Sequence, residues 1–94
     1  MNKNDKQVLK NFISKVKIPK IFYVQNQIEL IDIHMIVLSQ IDLILHNKIP
    51  NISILNLISK NDEKTYALLA KKNSEVMSYL NNLKDVIQII KNNE

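Results

Sequence analysis

From Tyr66 to Ile90 the chain repeats alternating steps of three and four: Tyr66, Leu69, Asn73, Val76, Leu80, Leu83, Ile87 and Ile90. Residues so spaced fall on one stripe of an α-helix, the stripe that packs along another helix. A second stripe lies upstream, through Ile21, Val24, Ile28, Ile31, Met35, Leu38, Asp42 and Leu45. Two such stripes in 94 residues predict an all-α fold. The expected form is a single domain over residues 1–94, a small antiparallel bundle of three or four helices with coiled-coil-like packing.

Composition removes the competing classes. The chain has no glycine, so the tight turns of β-hairpins lose their usual connector and glycine-rich phosphate loops are excluded. It has no cysteine, which excludes disulfides and thiolate metal sites and fits a reducing compartment. All thirteen basic residues are lysine, so no bidentate guanidinium fork is available for phosphate or carboxylate. The N-terminus is polar and basic and lacks the apolar run of about 7–15 residues of a secretory signal. The most apolar window, Ile28 to Leu45, contains Glu29, Asp32, Gln40 and Asp42, which a membrane span tolerates poorly. A cytoplasmic protein is expected.

Charge is segregated along the chain. Residues 1–20 carry a net +5, residues 21–47 a net −3 with no lysine, and residues 48–94 a net +2. This predicts that a basic first helix packs near an acidic second one.

Pro19 and Pro50 punctuate the helical pattern, each marking the end of one helix and the start of the next. The first helix is expected over Asn4–Lys17, capped by Asn4 or Asp5, with Val8, Leu9, Phe12, Ile13 and Val16 on its apolar face. The second is expected unbroken over Lys20–Asn47, apolar on more than one face and therefore central. After the short apolar stretch Ile52–Ile58 the pattern allows either one long helix over Asn51–Lys91 or a break at Ser59–Asp62, and the capping-box spacing of Ser59 and Asp62 favours the break. A last helix then runs to Lys91, and its apolar arc, with Leu68, Met77, Tyr79 and Val86 beside the stripe, is wider than the ~100° of an ordinary surface helix. Excess apolar width in a short chain points to self-association or a partner. Asn73 stands at an a-type position. There it either fixes register as a buried polar residue or faces solvent beyond the end of its neighbour.

Candidate chemistry is sparse. His34 and His46 are twelve residues apart with no HExxH pattern, and read as surface or partly buried side chains. Glu29 and Asp32 share a helix face, as a solvated acidic pair does. Tyr23, Tyr66 and Tyr79 are too scattered for a base-stacking platform. The expectation is a protein without catalytic residues, metal or cofactor.

Residues 57–80 contain an aliphatic pair (Leu57, Ile58), Asn61 opening a polar stretch, a Leu68-Leu69 pair, and a further apolar heptad through Val76 and Leu80. This pattern resembles the helix signature of the small flagellar and type III export chaperones. The resemblance implies a helical hairpin or bundle that acts as a protein-binding adaptor.

Three functions follow as expectations. The first is an adaptor that binds a partner helix, or a second copy of itself, through Leu69, Asn73, Val76, Leu80 and Leu83. The second is a small cytosolic immunity-type protein, similar to bacteriocin immunity proteins in size and class. The third is a binder of nucleic acid or anionic surfaces through Lys3, Lys6, Lys10 and Lys17.

Overall fold

The computed structural model describes residues 1–56 and 58–93, and every regular element among them is a helix. Six are formed: α1 Lys3–Lys15, α2 Lys20–Val24, α3 Ile28–Leu45, α4 Ile52–Leu55, α5 Lys60–Lys72 and α6 Ser74–Lys91. The class is the expected one, but there are more helices than three or four. The additional ones come from two breaks that periodicity does not show.

The first break divides the expected Lys20–Asn47 helix. Asn26 adopts φ 51°, in the left-handed region. Its amide donates to the Tyr23 carbonyl, and the Gln27 amide donates back to Phe22 at 2.7 Å. These two bonds form a Schellman C-cap on α2. The same device closes α3: Asn47 has φ 58°, its amide donates to Ile44, and the Lys48 amide donates to Leu43 at 2.8 Å. Glycine normally occupies this position because an L-residue with a Cβ is strained there. A chain without glycine uses asparagine, whose short polar side chain tolerates the conformation best among the remaining residues.

The second break falls at Asn73, the extended residue that both ends α5 and caps α6. Its side chain accepts a hydrogen bond from the Glu75 amide at 3.0 Å. The register role is therefore corrected: Asn73 is a helix N-cap, and the stripe from Tyr66 to Ile90 belongs to two helices. The break expected at Ser59–Asp62 does occur. Ser59 caps α5 and Asp62 returns the bond to the Ser59 amide, completing a capping box. At the other end of the chain, Asn2 caps α1 by accepting from the Asp5 amide at 2.8 Å, so neither Asn4 nor Asp5 is the cap.

The two 18-residue helices organise the core. α3 packs on α1, α2, α4 and α6; α6 packs on α1, α3, α4 and α5. Between them lie Phe12, Phe22, Val37, Ile41, Val76 and Ile90, all essentially inaccessible to solvent. Full burial of an aliphatic or aromatic side chain contributes about 1.5–3 kcal/mol, so these contacts dominate the stability of a short chain. Pro19 is also buried, and the buried Gln40 accepts from the Asn51 amide at 2.6 Å, which ties the segment before α4 to α3. Basic α1 does pack on acidic α3, with its buried Phe12 ring 5.1 Å from that of His34. Among the described residues the one acid–base contact within ion-pair distance is His46–Asp42, within α3's own C-terminal turn, at 3.3 Å and exposed; it is an ion pair only when His46 is protonated. Complementary charge is not what joins the two helices.

Candidate functional site

The stripe expected to bind a partner is largely consumed by the fold. Val76 and Leu83 lie in the chain's own core, and Leu69 and Leu80 are half-buried against it. Asn73 is occupied as a cap. A partner could reach only parts of this stripe. The four lysines Lys3, Lys6, Lys10 and Lys17 are all exposed, the first three on α1 and the fourth in the turn that follows.

The upstream stripe stays open in part. Its inner neighbours Leu30, Ile33, Val37, Ile41 and Ile44 fill the core, and Ile21, Ile31, Leu38 and Leu45 of the stripe pack partly against it, which leaves Val24, Ile28 and Met35 as the exposed apolar members. Ile28 is 65% and Met35 56% exposed, with Ile31 and Leu38 half-buried on the shoulder between them and the core. Val24, at the end of α2, is 79% exposed. Glu29, Asp32 and Asp42 are exposed on the same helix, and no lysine occurs between residues 20 and 48. The outer face of α3 thus interleaves large apolar side chains with carboxylates. Sequence periodicity identifies this stripe, but which of the two stripes stays open depends on how α3 is seated.

Beside that face runs a groove of about 170 Å³ between α3, α4 and the start of α5. Its walls are Ile33 and Ile36 of α3, Ile54 and Leu55 of α4, and Ile58. Glu29, Asp32 and Asp62 line it as well, and none of its lining residues is basic. Asp62 is held in place by the capping box, its Oδ2 accepting from the Ser59 amide and hydroxyl at 2.8 and 2.9 Å. Sequence reasoning paired Glu29 with Asp32 but could not bring Asp62 to them. Leu57, of the aliphatic pair in the chaperone-like signature, lies outside the described residues.

The buried polar groups form a separate cluster. His34 is 5% exposed, and its Nδ1 lies 2.8 Å from the Tyr79 hydroxyl. Phe12 lies against both rings of this pair and Phe22 against Tyr79, with centroids 5.1–6.4 Å apart, and Tyr66 packs on the far side of the contact through Phe22 at 6.1 Å. Desolvation lowers the His34 pKa, keeping the imidazole neutral. Desolvation raises both phenols as well, with Asp62 adding to the effect on Tyr66 and the other tyrosines adding to that on Tyr79. With both partners neutral, the tautomer sets the direction: the phenol donates to Nδ1 when the proton is on Nε2, and Nδ1–H donates to the phenol oxygen when it is on Nδ1. His34 faces inward while Glu29, Asp32 and Asp42 face solvent, so the fold does not assemble them into an acid–base constellation. Among the described residues, no group of three or more His, Cys, Asp or Glu side chains is arranged to hold a metal. None of the described helices is long and apolar enough to cross a membrane.

No protein-family model matches the sequence, and comparison with curated proteins and with solved structures finds no significant similarity.

Proposed function

We propose that this chain is a non-enzymatic protein-interaction module, of the kind an export-chaperone-like adaptor would be, and that it receives a partner helix on the outer face of α3. The observation that carries the reading is the exposure of Ile28 and Met35 on a helix whose opposite face already fills the core. Large exposed apolar groups grouped on one face mark interaction sites more often than singly scattered ones do. Helix-in-groove recognition uses this i, i+3, i+4, i+7 spacing. The chaperone resemblance supports the adaptor role. Assignment to the cytoplasm and an antiparallel bundle arrangement belong to the same proposal.

Site-specific crosslinking tests it. A photo-reactive residue at Met35 should trap a defined partner in the native cell, and Ile28→Asp should abolish that adduct. Leu68→Asp, at another exposed apolar position on α5, should leave it intact. Equal loss with both aspartates, or no adduct at all, would reject the site.

A further inference from the structure

Resting on the reading of α3's outer face as a docking surface, we propose that its occupant is a basic amphipathic helix of a partner protein, with a lysine side chain of that helix entering the groove between α3 and α4. Two features meet at this point. The groove is apolar in its walls, yet Glu29, Asp32 and Asp62 line it and no basic residue does. Glu29 and Asp32 also border the exposed Ile28 and Met35, so groove and face form one continuous surface.

The chemistry selects the occupant. A lysine side chain is an apolar stem that ends in an ammonium group. Such a side chain buries its stem on apolar surface while its charged head reaches polar groups. Isoleucine walls suit the stem, and the carboxylates suit the ammonium. At about 170 Å³ the groove is smaller than the ~300–1,000 Å³ of ordinary small-molecule sites, and matches a single inserted side chain. An acidic partner helix would set its carboxylates against Asp32 and Asp42, and like charges brought together across an interface are unfavourable. A second copy docked two-fold, α3 on α3, meets the same repulsion because the same patch faces itself.

The test uses the full chain and two synthetic helical peptides with an identical leucine seam, one flanked by lysine and the other by glutamate. Binding is measured by calorimetry, and the site is mapped by amide shift perturbation. The lysine peptide should bind with shifts confined to α3, α4 and the start of α5, and binding should weaken with added salt. The Glu29→Lys/Asp32→Lys variant, checked for unchanged helicity, should bind the lysine peptide at least tenfold more weakly and the glutamate peptide more tightly. Equal affinity of the wild type for both peptides would overturn the basic-helix assignment and leave the docking face standing. Binding of neither would overturn both. Shifts confined to α1 or α6 would overturn the groove as the site. A dimer of the free protein that Asp32→Lys dissociates would make a second copy the occupant, and would likewise overturn the proposal.

Discussion

His34 Nδ1 sits 2.8 Å from the Tyr79 hydroxyl, joining α3 to α6 across 45 residues of chain. It is a buried polar link between side chains in a core made mostly of aliphatic and aromatic residues. In a low-dielectric interior such a bond is strong, and leaving one partner unpaired costs more than the bond contributes net. Tyr79→Phe should therefore destabilise the fold by about 1–3 kcal/mol. The double variant His34→Leu/Tyr79→Phe, which removes both polar groups, should recover part of that loss. Urea midpoints of the four proteins check the cycle.

Acid should weaken the protein through His34. Its folded-state pKa lies below the ordinary value of 6.5, because burial disfavours the imidazolium. Below about pH 6.5 the unfolded chain takes up a proton that the folded chain does not, so stability falls as pH falls. The contribution is fully present above the unfolded pKa and declines through the window down to the lowered folded one. Unfolding measured between about pH 7.5 and 5, a range spanning the ordinary histidine pKa, should show this decline. His34→Leu should flatten it.

Tyr66 shows the converse case. Its hydroxyl is buried and has no hydrogen-bond partner among the described residues, while the residue is 3% exposed and its ring packs on Phe22. Removing an unsatisfied buried hydroxyl removes a desolvation penalty without losing a bond. Tyr66→Phe should keep or raise the thermal midpoint. A drop comparable to that of Tyr79→Phe would show that the hydroxyl is paired in solution.

The asparagine C-caps should behave as glycine sites. Asn47→Gly should be neutral or mildly stabilising, since glycine reaches φ 58° without Cβ strain. Asn47→Val should cost about 1–2 kcal/mol, the penalty for a bulky residue in that region. Asn26 should show the same order, with a smaller amplitude because the helix it closes, α2, has five residues. Thermal melts of the four variants decide this.

Asn73 distinguishes capping from register. As the N-cap of α6, Asn73→Asp should be tolerated and Asn73→Ala should cost about 1 kcal/mol. Asn73→Leu should also destabilise. A buried register asparagine would behave oppositely, since its replacement by leucine raises stability while loosening the choice of partner.

The sequence by itself determined the helical class, because two long stripes with three-four spacing and no glycine leave a sheet without connectors. It also determined several boundaries whose causes are local, such as the proline at the start of α2, the proline ahead of α4 and the Ser59–Asp62 capping box. Both open-face residues Ile28 and Met35 stood on a recognised stripe. Only the tertiary structure decided that Val76, Leu83 and Ile90 of the downstream stripe enter the core while α3 leaves Ile28 and Met35 of its own stripe exposed. Periodicity specifies that residues share a face, but α3 is apolar on both of its faces, and packing against α1, α2, α4 and α6 selects the one that is buried. The breaks at Asn26 and Asn73 were hidden for a related reason. Asparagine is compatible with a helix interior, a left-handed cap or an N-cap, and the neighbours that each helix end must meet choose among them. The groove needs α4 and Asp62 folded back against Glu29 and Asp32, more than twenty residues away in sequence, and no local rule carries that distance.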